Sequence, residues 1–313
     1  IALPGRRIFW PAHIWRPFRT AARNLFMRLL VGIAIIVVSV IGGYLAQGGH
    51  FEVLVQPFEA LIILGAAMGA FVIGNTGPVL KQSMRIFGTL FKGPRYNKQA
   101  YVDLLGLQFT IFKLVQQKGV LALEEHIEHP DESRLFQAFP SFAKNHHAVE
   151  FMCDYLRMVT LGTRVPHEME ALMDEELETH HQESSRIVSA IQALADGTPA
   201  LGIVAAVLGV IHTMGSISEP PEVLGHMIGG ALVGTFLGVF CAYGFFGPMA
   251  QSLRNIYDAE AKYLGSIKIG LLAHISGYAP AIAIEFARKG LMSEVRPTFS
   301  EIDEATADWQ LAA

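Results

Sequence analysis

An all-α, membrane-spanning fold follows from three features of the sequence. Four long apolar stretches, each long enough to approach or cross a bilayer as a helix, interrupt a chain of 313 residues. The composition is 51% hydrophobic and only 17% charged, whereas charged residues make up about a quarter of an ordinary soluble domain. Between the apolar stretches the apolar residues recur at helical spacing, with few strand signals. In lipid every backbone polar group must be satisfied within the segment, so each stretch is read as a helix.

Residues 1–26 combine Trp10, Trp15, three prolines and five arginines without clear periodicity. The apolar run that follows is longer than a signal-peptide core and no A-x-A pattern closes it. The expectation is that Met27 is the biological start and that residues 1–26 are a dispensable or non-native leader. Leu29–Ala46 forms the first span, and Gln47-Gly48-Gly49-His50 makes a turn. A second apolar run covers 58–80, broken near its end by Gly74-Asn75-Thr76-Gly77-Pro78. Its small residues fall in register, Gly65 with Gly69 and Ala66 with Ala70 and Gly74, a spacing that lets another helix approach closely. Residues 27–80 therefore hold spans one and two.

The segment 81–197 reads as a helical domain. Residues 101–118 alternate apolar and polar faces, Asp131-Glu132-Ser133 can open a helix, and 151–161 is apolar enough to pack. A longer helix covers 168–195, its first half MEALMDEELETHHQE strongly acidic. Spans three and four follow within 198–250. The runs 199–214 and 227–250 contain no Asp, Glu, Lys or Arg, and Pro220 and Pro221 lie in the short link between them. Gly230, Gly234 and Gly238 line one face of the fourth span. In the tail, 251–313, residues 254–272 are amphipathic and 280–290 make a short final helix. Lysine and arginine set the orientation. The links 47–56 and 216–224 have none, while Lys81, Arg85, Lys92, Arg95 and Lys98 crowd the far end of the second span. The positive-inside rule places both termini and the middle domain in the cytoplasm.

Chemistry is sparse. A net charge of −4 gives no reason to expect nucleic-acid binding, and the two cysteines, Cys153 and Cys241, form no disulfide or zinc pattern. No Walker loop, dinucleotide fingerprint or nucleophile elbow is present, so neither an enzyme nor a cofactor is expected. His126 with His129, and the adjacent His180 and His181, lack the i, i+4 spacing that joins two imidazoles on one helix face. They are read as solvated. The densest acidic set, Asp174, Glu175, Glu176 and Glu178, is either a solvated face or a docking surface for a charged partner. Ion pathways usually hold an ionisable side chain inside the membrane. Within the four apolar runs the only carboxylate is Glu59, at the outer start of the second span. If this chain conducts ions, the carrier carboxylate comes from another polypeptide.

Several stretches together resemble the MotA family of flagellar motor stator proteins, within the wider group of proton-driven stator channels. They are GGYLAQGG (42–49), ALMDEELETH (171–180), PALGIVAAVLGVIHTMGS (199–216), MIGGALVGTFLGVFCAYGFFGPMA (227–250), GYAPAIAIEFARK (277–289) and RPTF (296–299). The resemblance covers 27–299. It implies a multi-pass protein of the bacterial inner membrane, five copies forming a ring around two copies of a single-span partner, MotB. That partner's membrane Asp would supply the missing carboxylate, and charged cytoplasmic residues would push the rotor protein FliG. By the same resemblance Pro199 and Pro248 match the family prolines near the inner ends of spans three and four. Thr235 matches the span-four threonine that faces the ion-binding carboxylate. Glu124 matches a rotor-facing acidic position and Glu176 another acidic position of the cytoplasmic domain. Gln116 replaces the neighbouring rotor-facing arginine, with Lys118 two residues later. Sodium-driven members tend to pair the threonine with a hydroxyl on span three, where this chain has Ala206, so the resemblance implies protons. Thr213 lies seven residues beyond Ala206, about 10 Å along nearly the same helix face.

Each residue also has an ordinary reading. Thr198-Pro199 is a common helix start, Pro248 ends or kinks a span, and Thr235 bonds its own helix backbone. Two alternatives to a motor subunit stand beside it. One is an energiser of outer-membrane processes like ExbB or TolQ, whose relatives usually have three spans. The other is a passive membrane scaffold.

Overall fold

The computed structural model describes residues 18–90, 96–163 and 165–312. Among the described residues there is no strand. Helix α1 (Phe18–Val37) already runs ahead of Met27, passes through a π-helical turn at Val38–Gly42 and ends as α2 (Gly43–Ala46). The rest of the expected leader, 1–17, lies outside the described residues. At the turn, Gly48 has φ +87°, a left-handed conformation that favours glycine. A Cβ on Gly49 would lie 2.5 Å from the Tyr44 ring, so a side chain here would have to turn that ring aside. The short α3 (Phe51–Leu54) leads into α4 (Pro57–Gly74), which opens with proline at its first turn. The second span is shorter than the expected 58–80. Asn75 is extended and its side chain donates to the Phe71 carbonyl at 2.8 Å, which closes the helix before α5 (Gly77–Leu90).

Next come α6 (Lys98–Lys118), a 3-10 turn at Val120–Leu123, and α7 (Glu124–Glu128). Then follow α8 (Arg134–Gln137), α9 (Pro140–Ala143) and α10 (His146–Thr160). As expected, Ser133 opens α8, its side chain accepting from Phe136 N. Helix α11 (Pro166–Met214) is one unbroken run of 49 residues. The sequence reading divided it near Thr198, but Thr198 is not an N-cap. Its hydroxyl donates to the Leu194 carbonyl at 2.6 Å, and Pro199 sits inside the helix. Helix α12 (Pro221–Cys241) passes through a second π-helical turn, Ala242–Phe246, into α13 (Gly247–Ile275). Pro248, which offers no N–H to the Gly244 carbonyl, follows a π-turn and does not end the helix, which continues to Ile275. Helix α14 (Pro280–Lys289) was expected and α15 (Phe299–Ala312) was not.

By contacts the chain forms two units. The first comprises 1–94 and 185–254, the second 95–184 and 255–313. Among the described residues four helical segments are long and apolar enough to cross a membrane: Leu29–Ala46, Phe51–Gly74, a part of α11 and a part of the helix running from Pro221 to Ile275. The first unit carries its large apolar side chains outward. Ile35, Phe58, Ile73, Ile211 and Leu232 are all exposed, Ile73 to 89%. An apolar surface of that extent belongs in lipid. Inside the unit, α4 and α3 pack on α12.

The second unit is built the other way round. Helix α6 is buried on every side from Leu104 to Phe112, the pattern of a helix at the centre of a core. Phe136, Phe142, Phe151, Tyr263 and Ile267 close around it, each fully buried side chain contributing about 1.5–3 kcal/mol. Gln108 is the polar exception, its Nε2 donating to the Ile267 carbonyl at 3.0 Å. Gly270 makes room for it, since a Cβ there would lie 2.5 Å from the amide. Burial pushes the Tyr101 phenol up to about 12 and raises the Asp103 carboxyl above its usual range.

Candidate functional site

The residues singled out from the sequence fall into two groups. Pro199, Ala206, Thr235 and Pro248 belong to the first unit, and Glu124, Lys118 and Glu176 to the second.

In the first unit the glycine face of α12 meets the C-terminal part of α11, backbone against backbone at Gly202 and Gly238. A Cβ on Gly238 would lie 2.8 Å from Gly202 Cα and 3.0 Å from the Thr198 carbonyl oxygen. One on Gly202 would lie 2.9 Å from the Gly234 carbonyl oxygen. The two backbones are in contact, as the four-residue spacing predicts. At Gly234 the neighbours are Ala206 N at 3.1 Å and the Ala205 side chain at 3.2 Å. Ala206 is therefore level with the residue next to Thr235, and Thr235 is half-buried. Thr213 is satisfied by its own helix, donating to the Gly209 carbonyl at 2.9 Å.

Glu59 enters the same crossing. Its Oε2 lies 3.1 Å from the Cβ position of Gly234 and its Oε1 3.2 Å from that of Gly209. Oε2 is buried and accepts no hydrogen bond. Gln56, one turn earlier, covers Gly230, its Nε2 3.1 Å from that glycine's Cβ position. The small residues of α11 and α12 thus leave room for a carboxylate reaching in from α4. The sequence marked Glu59 as the only carboxylate in the apolar runs, but its place at a helix start hid this reach. The available signal was the Gln-Pro-x-Glu start of the span opposite a glycine face. The other glycine pattern behaves differently, since Cβ atoms at Gly65, Gly69 and Gly74 would meet nothing within 4 Å.

In the second unit Gly119, at φ +83°, ends α6 and turns the chain into the 3-10 segment. Buried Leu123 and Ile127 then pin α7 to the core and leave Glu124 exposed at its first turn. The helix N-terminus favours the negative charge there. Gln116 and Lys118 are exposed at the end of α6. Among the described residues neither Glu124 nor Lys118 enters an ion pair, whereas Glu128 pairs with Arg157 at 2.8 Å. Glu176 has an internal partner, because Tyr155 Oη donates to its Oε2 at 2.7 Å. Burial first, and then that carboxylate, raise the Tyr155 phenol well above its usual range. Asp174 and Glu170 are drawn to Lys268, whose Nζ lies 2.5 Å and 3.7 Å from them. Gln182 Nε2 donates to Glu178 Oε1 at 2.9 Å, so three of the four residues Asp174, Glu175, Glu176 and Glu178 are engaged within the unit. His126 bonds the Ser133 hydroxyl at 2.9 Å, and Cys153 is a buried thiol, pushed up to about 12 by burial.

Residues 30–119 match the family model described as Motility protein A N-terminal, and residues 143–266 match the MotA/TolQ/ExbB proton channel family. Motility protein A of Salmonella typhimurium is 42% identical over 278 residues, which cover 89% of this chain and 94% of the relative. Motility protein A of Escherichia coli has the same identity and coverage. Chemotaxis protein LafT of Vibrio parahaemolyticus is 32% identical over 282 residues, covering 90% of this chain and 99% of LafT. Among solved structures, the flagellar MotAB stator complex from Bacillus subtilis matches with TM-score 0.63 and 26% identity, over 88% of this chain and 98% of that one. The C. jejuni MotAB structure matches with TM-score 0.73 over 87% of this chain and 99% of that one; at 20% identity it supports the fold alone. The chain belongs to the motility protein A family.

Proposed function

We propose that this chain is the stator subunit of a bacterial flagellar motor, and that it forms with a single-span MotB-type partner a proton channel whose flow turns the rotor. Support comes from relatives named for motility that match along nearly the whole chain, and from the stator complex that shares its fold. The observation that carries the reading is the crossing of α4, α11 and α12, where the helix backbones touch at Gly202 and Gly238, Ala206 N lies beside Gly234, the residue before Thr235, and the Glu59 carboxylate reaches in. In this reading the protein lies in the inner membrane with both termini and the second unit in the cytoplasm. Five copies surround two partner helices, and the partner's membrane Asp carries the proton past Thr235. Glu59 supplies a second carboxylate nearer the outer side. Pro199 and Pro248, inside continuous helices, are points where bending transmits the partner's protonation. Glu124 and Lys118, exposed on neighbouring elements, face the rotor protein FliG, and Glu176 supports that edge through Tyr155. Protons are the driving ion in this reading, because Ala206 stands where sodium-driven members of the family tend to carry a hydroxyl.

The energiser reading, like ExbB or TolQ, shares the channel family, but the match over 30–119 to the motility N-terminal model favours the motor branch. Deletion of the gene and complementation separate the readings. The motor reading expects loss of swimming with intact flagella, restored by this chain together with its partner. Swimming that persists after deletion, with loss of energised outer-membrane uptake in its place, would refute it.

A further inference from the structure

We propose that His147, His180 and Glu260 form a binding site for a divalent transition-metal ion, zinc first, which ties α10, α11 and α13 together within the second unit. The three side chains lie far apart in the sequence and on three different helices. One ligand atom from each falls within 4.8 Å of the others. His147 Nδ1 is 3.9 Å from Glu260 Oε1, and the two imidazole rings stack with centroids 4.4 Å apart at 25°. All three residues are half-buried, so an ion there would be partly shielded from water yet reachable.

Two imidazoles and one carboxylate are the donor set of open zinc sites, in which a fourth position is left to water or another ligand. With bonds of about 2.0–2.1 Å in a tetrahedron, the ligand atoms must stand about 3.3 Å apart. The cluster therefore has to close by at most about 1.5 Å, a distance within reach of side-chain rotation. Imidazole, the donor present twice, suits zinc, copper and nickel, whereas magnesium and calcium prefer sites made of oxygen alone. His180 gains His147 as a partner only through folding, since its sequence neighbour His181 lacks helical chelate spacing.

The test uses the protein purified with its partner, stripped by chelator and titrated with Co2+ and then Zn2+. Expected are a visible Co2+ absorption band of a low-coordinate site at about one ion per chain, its bleaching by Zn2+, and a zinc-dependent rise in thermal midpoint. His147→Ala, His180→Ala and Glu260→Gln should each lower affinity at least tenfold, while His146→Ala, at an exposed neighbour, should not. Glu260→Gln keeps the shape of the side chain, so it remains informative if a histidine variant folds poorly. Absence of the band at saturating Co2+, or the same band and affinity in Glu260→Gln and His180→Ala, would overturn the proposal.

Discussion

Substituting Gly238 by alanine tests the packing of spans three and four. The new methyl would lie 2.8 Å from Gly202 Cα, 3.0 Å from the Thr198 carbonyl oxygen and 3.1 Å from Gly202 N. All three are backbone atoms, so no side-chain rotation relieves the contact. Carbon atoms prefer about 3.5–4.0 Å, and the helices must part locally by about 0.7–1 Å. Overpacking of this kind costs about 1–3 kcal/mol. Alanine is the better helix former by about 1 kcal/mol, which leaves a net loss of about 0–2 kcal/mol. Gly65→Ala is the matched control, because a Cβ there meets nothing within 4 Å and only the propensity gain remains. Thermal unfolding of the purified protein in detergent should give a lower midpoint for Gly238→Ala and an equal or higher one for Gly65→Ala. A Gly238→Ala midpoint at or above wild type would refute direct backbone contact at this crossing.

Three further outcomes are expected. Pro199→Ala and Pro248→Ala each restore a helix N–H, so they should reduce torque while leaving insertion and partner binding intact, as read by bead rotation and co-purification. Glu124→Lys should slow swimming at normal expression, whereas Glu176→Gln, which retains an acceptor for Tyr155, should leave swimming near wild type. Equal swimming speed in Glu124→Lys and wild type would contradict the rotor-facing assignment. Glu301 should titrate at about 2, held down first by Lys98 at 2.6 Å and then by the Thr298 backbone N–H, and Lys98→Ala should raise that midpoint in a carboxyl NMR titration. Because the folded value lies below the unfolded one of about 4.5, the stabilisation is complete above about pH 4.5. It is lost as pH falls toward 2. Both side chains are 46% exposed, which limits the contribution to about 0–1 kcal/mol.

Much of this architecture is written in local patterns. The four spans, the Ser133 helix start and the packing face of Gly230, Gly234 and Gly238 follow from composition and spacing. Thr298 and Glu301 form a reciprocal capping box, so α15 was legible in T-F-S-E and was passed over because its apolar pattern is weak. Helix continuity was harder to read. Proline at 199 signals a helix start to any local rule, yet packing keeps α11 unbroken, with Thr198 bonding back to Leu194. Tertiary reach was not legible at all. Nothing near Glu59 announces that two glycines on other helices make room for its carboxylate, and nothing near Glu176 announces Tyr155. The same limit hid His147 from His180, which meet only once three helices have packed.

The most direct test of the central claim is the speed of rotation while the driving ion is varied. Tethered cells that rely on this chain and its partner should slow in proportion as a protonophore collapses the proton gradient. They should keep their speed when potassium replaces sodium at constant proton-motive force. Rotation that stops on removal of sodium with the proton gradient intact would contradict the account.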